Sequence, residues 1–334
     1  MRRLTFVLLA LAAACVASPP APVPPHANPV LDEDFPDPAV LRASDGFYYA
    51  YATQSEKDGR TLNIQVARSR DLVRWARLGD ALPTKPAWAS RTQDFWAPHV
   101  SEHEGRFYLY YSAKPDAALD DPSRGLCLAV ATAERPEGPF TDVGKPLECG
   151  PGFVNIDPMA FDDPRTGRRL LYWGSGFGPI KVRQLAPDRV SFARGTEAVP
   201  LVHAIASDDP RTYRRLVEGA WVIYRAPWYY LFFSGDDCCG AKAHYAAMVA
   251  RSRRATGPFE VRGNGVVLEA RGKWIAPGHN SIATDRRGQD WIVYHAVDTR
   301  RPRTKPTDGI NTRRVMLIDR IEYRDGWPVV TAVP

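Results

Sequence analysis

Phe107-Tyr108-Leu109-Tyr110-Tyr111 has the composition of a β-strand, and the chain carries five such runs. The others are Phe47-Tyr48-Tyr49-Ala50-Tyr51, Leu170-Leu171-Tyr172-Trp173, Trp228-Tyr229-Tyr230-Leu231-Phe232 and Trp291-Ile292-Val293-Tyr294-His295. They start roughly every sixty residues, a period long enough for one supersecondary unit per copy. A second echo follows about twenty residues later in three copies: Val66-Ala67-Arg68-Ser69, Val130-Ala131-Thr132 and Val249-Ala250-Arg251-Ser252. Gly138-Pro139-Phe140 and Gly257-Pro258-Phe259 close the second and fourth copies. No segment sustains the 3.6-residue period of a major helix. Strands separated by turns and repeated five times predict an all-β, five-bladed β-propeller. A β-sandwich or β-solenoid would need the aromatic spacing to be accidental.

The repeats occupy residues 30–334 with no second Pro-rich linker, so they are expected to form a single domain that grows by adding blades. Ahead of them, Met1-Arg2-Arg3 and the apolar stretch Leu4 to Ala14 form a charged start and a segment too short to span a bilayer. Residues 1–18 therefore read as an export signal. Leu11-Ala12-Ala13-Ala14-Cys15 loosely fits a bacterial lipoprotein box with Cys15 lipidated, and Val16-Ala17-Ser18 fits ordinary cleavage. The expected location is periplasmic, extracellular or anchored to a bacterial membrane through Cys15. Residues 19–29 are Pro-rich and read as a stiff spacer.

The formal charge of +6 falls by two without Arg2 and Arg3, and the basic residues are interspersed with acidic ones. A solvated surface is the expectation, with no nucleic-acid partner and a monomeric chain. In an oxidising compartment Cys127 could pair with Cys149, and Cys238 with Cys239. The absence of CxxC, HExxH and GxSxG motifs argues against zinc and serine-hydrolase chemistry.

Three carboxylates recur in phase with the repeats. Asp37 lies in Asp34-Phe35-Pro36-Asp37-Pro38, Asp157 in Asn155-Ile156-Asp157-Pro158 and Glu218 in Val217-Glu218-Gly219-Ala220-Trp221. Phe95-Trp96-Ala97-Pro98-His99 and Pro277-Gly278-His279-Asn280-Ser281 hold the equivalent places in the other two copies. Positions 37, 96, 157, 218 and 279 should begin innermost strands and face one axial cavity. One Asp-Pro alone would be a turn or strand cap. Carboxylates converging with tryptophans suit a sugar, because rings stack on it and carboxylates bond its hydroxyls or act as acid and base.

These motifs, in this order and spacing, resemble glycoside hydrolase family 43 over nearly the whole chain after the spacer, ending with Asp325-Gly326-Trp327-Pro328. The resemblance implies a five-bladed propeller that hydrolyses arabinose- or xylose-containing polysaccharides with inversion. It makes Asp37 the general base, Glu218 the general acid and Asp157 the residue that tunes and orients that acid. It also places Trp96, Phe35, Trp221, His279, Asn280 and Arg314 against substrate, and His295 beside an axial calcium ion, with no cofactor required for the chemistry. Inversion needs the acid and base roughly 6.5–9.5 Å apart with room for water. An ionised Asp157 is expected to raise Glu218 by like-charge repulsion, leaving Asp37 ionised in a wetter place.

Ile156-Asp157-Pro158 and Glu218-Gly219 depart from the fructoside-cleaving relatives. Glu218-Gly219-Ala220-Trp221 departs from the Glu-Gly-Pro-His pattern of xylosidases. An arabinofuranosyl linkage is therefore the expected target, with β-xyloside the alternative. A non-catalytic sugar-binding propeller, the reading from another class, would typically lack one of the three carboxylates.

Overall fold

Five antiparallel sheets follow one another along the chain as consecutive blades, as the repeat predicted. The computed structural model describes residues 21–240, 243–303 and 313–331. The proposed signal, Cys15 and the start of the spacer lie outside the described residues. The first blade consists of strands Ala39–Arg42, Tyr48–Ala52, Gln65–Ser69 and Trp75–Asp80. The innermost strands of the others are Phe95–His103, Met159–Asp162, Val217–Arg225 and Trp274–Thr284. The aromatic runs form each blade's second strand, at Tyr48–Ala52, Arg106–Ala113, Arg169–Trp173, Trp228–Asp237 and Asp290–Asp298.

The aromatic recurrence has a specific cause. Buried rings from neighbouring sheets fill the seams between blades, as Tyr49, Tyr51, Phe107 and Tyr111 do between the first and second. In four blades a tyrosine hydroxyl also donates to a backbone carbonyl of the next blade. Tyr51 reaches Pro136 at 2.6 Å, Tyr110 reaches Arg189 at 2.8 Å, Tyr172 reaches Ala255 at 2.7 Å and Tyr230 reaches Gly326 at 2.8 Å. Tyrosine suits this place because its ring supplies apolar contact and its tip satisfies a carbonyl that the seam shields from water.

At the centre, a left-handed kink lies just before or within each innermost strand. The kinked residues are Asp37 (φ 58°), Ala97 (φ 45°), Asp157 (φ 59°), Gly219 (φ 62°) and His279 (φ 44°). Four of the five carry a Cβ in a region that favours glycine, so neighbouring groups must hold the conformation. The N–H of each kink donates to a side chain of the preceding blade. Ala97 donates to Thr53 Oγ1 at 2.7 Å, Asp157 to Ser112 Oγ at 3.2 Å, His279 to Ser234 Oγ at 2.8 Å and Asp37 to His295 Nδ1 at 3.1 Å. Gly219 departs from the pattern and donates to the Asp157 carboxylate at 2.8 Å. The third blade has Gly174 where the others place a side-chain acceptor in or just after their second strand, and Asp157 takes that role.

The ring closes without a shared strand. Residues 28–31 lie along the part of strand Arg314–Arg324 that the outermost strand Trp327–Thr331 leaves unpaired. The Asn28 side chain bonds both backbone groups of Ile318, and the His26 ring sits 5.9 Å from Trp291. The end of the expected spacer is thus part of the fifth blade's edge, because Val23, Val30 and Leu31 find apolar cover there. Cys127 is joined to Cys149, and Cys238 to Cys239.

Replacing Tyr110 or Tyr172 by Phe keeps the ring in the seam but leaves a buried carbonyl unpaired. Each change is expected to cost about 1–3 kcal/mol, and denaturant unfolding should show it as a lower midpoint with an unchanged slope.

Candidate active site

The kinks turn Asp37, Asp157 and His279 towards the axis at one level, and Glu218 joins them from the position just before its kink. The expected set 37, 96, 157, 218 and 279 is therefore offset by one at Trp96 and Glu218, whose kinks fall on Ala97 and Gly219. His279 bridges the group, with Nδ1 3.4 Å from Asp37 Oδ1 and 3.8 Å from Asp157 Oδ2. Ligand atoms of Asp157, Glu218 and His279 all lie within 4.8 Å of one another. A Cβ at Gly219 would make only ordinary contact with the His279 ring at 3.4 Å, so it is the left-handed φ of 62° that favours glycine there.

Each carboxylate is held differently. Asp37 accepts from Arg314 Nη1 at 3.1 Å and from Thr53 Oγ1 at 2.5 Å, and Arg314 is itself oriented through its N–H on Asp34 at 3.0 Å. Glu218 accepts from the Tyr245 hydroxyl at 2.7 Å. The Tyr245 ring lies parallel to His295 at 5.9 Å, over Gly278, where a Cβ would meet it at 2.4 Å. Asp157 has the Gly219 N–H on one oxygen.

These partners separate the ionisation states. Burial would raise Asp37, yet the Arg314 guanidinium holds it well below the ordinary carboxylate range. Burial pushes Glu218 up to about 7, against the lowering effect of the Tyr245 hydrogen bond, and the Asp37 charge adds to the rise. Asp157 is also pushed well up, first by burial and then by Glu218 and Asp37, with only Gly219 and Arg314 opposing. The expectation of an ionised Asp157 is thus reversed. Asp157 and Glu218 behave as a pair that retains a proton near neutrality, because both are enclosed beside a carboxylate already ionised by arginine. Asp37 is likewise enclosed, so arginine and not water accounts for its charge.

The other expected residues take varied places. Trp96 is half-buried at the start of the second blade's innermost strand. Trp221 lies two residues past its kink, 8% exposed, with its ring edge-on to His99 at 5.1 Å. This pair forms the floor below the carboxylates, and a recess of about 550 Å3 lined by Trp221, His99, Arg42 and Asp162 opens below it. Trp221 also lines the narrow axial pocket that holds Asp37, Asp157 and His279. Phe35 is fully buried in the seam between the first and fifth blades, with Arg77 over its ring at 5.1 Å, and has no face for a sugar. Asn280 is buried beside the floor, and neither amide atom has a protein partner.

The His295 Nδ1 lies 3.1 Å from the Asp37 N–H and 3.2 Å from Asp37 Oδ1, and its buried Nε2 has no protein partner, so Nε2 is the ring atom free to meet an axial ion or water. Burial first among other causes brings the ring down to about 4, so it is neutral near pH 7.

Thr53, Ser112, Ser234 and Tyr245 were missed from the sequence. Three of them carried a signal: Thr53, Ser112 and Ser234 follow the aromatic runs of the first, second and fourth blades in phase with His295. Tyr245 recurs with nothing and becomes visible only when its strand pairs beside Glu218.

Comparison with known proteins agrees with this geometry. The family model described as "Glycosyl hydrolases family 43" matches residues 26–328. The chain is 28% identical over 288 residues to the "Extracellular exo-alpha-(1->5)-L-arabinofuranosidase ArbA" of Cellvibrio japonicus, covering 79% of each protein. It is 29% identical over 327 residues to the "Probable arabinan endo-1,5-alpha-L-arabinosidase D" of Emericella nidulans, covering 89% of this chain and 80% of that one. A solved α-L-arabinanase of Cellvibrio cellulosa shares the fold with a TM-score of 0.72 at 24% identity, over 89% of this chain and 95% of that one. Five blades around three axial carboxylates, matched along nearly their whole length, place the chain in glycosyl hydrolases family 43.

Proposed function

We propose that the protein is an exported, inverting glycoside hydrolase that cleaves arabinofuranosyl linkages of arabinan or related plant polysaccharide. Asp37 is the base, Glu218 the acid and Asp157 the residue that modulates and orients the acid. The observation that carries this reading is the contrast between Asp37, held ionised by Arg314, and Glu218, raised to about 7 a few ångströms from the same bridging histidine. Two carboxyl groups in opposite protonation states are what acid–base hydrolysis of a glycoside needs.

In this mechanism Asp37 takes a proton from water, and that water attacks the anomeric carbon. Glu218 gives its proton to the departing oxygen. Arg314 and Thr53 keep Asp37 aimed, and His279, neutral because burial lowers it, can bond a sugar hydroxyl without adding charge. Trp96 at the mouth and Asn280 near the floor are assigned to substrate. The arabinose preference rests on the two arabinan-directed relatives, and export on the extracellular description of one of them together with residues 1–18.

Asp37→Ala and Glu218→Ala should each lose about 10²–10⁴-fold on debranched arabinan. Glu218→Ala should keep far more of its rate on an aryl α-L-arabinofuranoside whose leaving group needs no proton. Equal losses on both substrates would remove Glu218 from the acid role.

The pH profile gives a second check. The base works once deprotonated, so activity should persist to pH values below the ordinary carboxylate range. The acid works only while protonated, so activity should fall as pH rises through about 7. Tyr245→Phe removes a bond that favours the Glu218 carboxylate, and should move this alkaline limb to higher pH while leaving the acidic limb in place. An unmoved limb would show that a different group controls it.

A further inference from the structure

We propose that Phe177, braced by Phe153, is a stacking platform for a sugar residue of the polysaccharide beyond the one held by the carboxylates. The proposal rests on the arabinan-directed reading above and adds a subsite to it. Phe177 is 67% exposed, more than any other large apolar side chain among the described residues; the next, Leu119, is 44% exposed. A single exposed ring is ordinary on a protein surface, so the case for an occupant rests on where this ring stands and how it is held.

Its position is on the mouth. Innermost strands run away from the kinks and second strands return, so the loop after Trp173 opens on the same side as the carboxylates. Gly174 N donates to Ile156 O at 3.0 Å, next to Asp157, and Phe177 follows three residues later, a reach of at most about 11 Å. The ring meets Phe153 edge-to-face at 5.7 Å, and Phe153 lies four residues before Asp157.

The ledge is built and not incidental. Phe177 has φ 64°, a conformation unusual for a bulky residue. Gly176 presses on the chain below, where a Cβ would lie 2.7 Å from a Val154 methyl and 2.9 Å from Val154 N. Below that, Gly125 packs on Gly152 so closely that a Cβ would lie 1.9 Å from its carbonyl oxygen. Backbone bonds Gly125 to Gly150 at 2.7 Å and Leu126 to Gly152 at 2.8 Å tie the two segments, and the Cys127–Cys149 link sits at their base. The result is a fixed, flat, apolar face without a hydrogen-bonding group, beside a pocket whose own chemistry is polar. Such a face fits the C–H side of a furanose ring and leaves the hydroxyls to water.

The test compares wild type, Phe177→Ala and Phe177→Trp on an aryl α-L-arabinofuranoside, which has a single sugar, and on debranched arabinan. Phe177→Ala should match wild type on the aryl substrate and lose about 3–10-fold in kcat/KM on arabinan, mainly through KM. Phe177→Trp should retain or improve it. Because the side chain is exposed, melting temperatures should coincide. Full activity of Phe177→Ala on arabinan, or equal losses on both substrates, would overturn the platform while leaving the hydrolase reading intact. A wild-type protein that cleaves neither substrate would overturn both. If sedimentation shows a wild-type dimer that Phe177→Ala converts to monomer with arabinan cleavage unchanged, a second copy of the chain is the occupant and the proposal fails.

Discussion

Five backbone N–H groups, each at a left-handed kink and each bonded to a side chain of the preceding blade, set the geometry on which the rest depends. A Cβ-bearing residue in that conformation is unfavourable by itself. Pairing the buried N–H with a side chain of the preceding blade offsets a cost of the same size, about 1–3 kcal/mol. The kink aims Asp37, Asp157 and His279 at the axis. The same hydrogen bond fixes the angle between blades, so fold closure and site assembly are one event. At the fourth blade the acceptor is Asp157 itself, which ties its orientation to the backbone next to Glu218.

The electrostatics follow from that enclosure. Three carboxyl groups brought together away from water cannot all ionise, and the single guanidinium of Arg314 decides which one does. It stands on Asp37 and is steered by Asp34, so charge collects on the first blade and the proton stays between the third and fourth. Tyr245 trims the effect by favouring the ionised form of Glu218, so that its proton remains transferable near neutrality.

Much of this was legible in the chain. Five aromatic runs in one phase specified the blades, since each run supplies a strand and its rings fill a seam. The three carboxylates were legible because they share that phase. The one-residue offset at Trp96 and Glu218 was hidden, because spacing alone cannot say whether a side chain sits on a kink or before it. Phe35 was placed against substrate by its position two residues before Asp37, but its ring fills a seam. The protonation of Asp157 depends on burial and on the charges of Glu218 and Asp37, which come from other blades, and Phe177 hides in a short glycine-rich turn with no periodicity.

The path of the first described residues carries one more consequence. The chain passes His26 beside Trp291, climbs along Ile318 and Met316, and reaches Arg314 only at Phe35, next to Asp37. It therefore approaches the ring from the side away from the carboxylates and ascends towards them. Residues 26–35 thus serve twice, covering the open edge of the last blade at one end and reaching the wall beside Asp37 at the other.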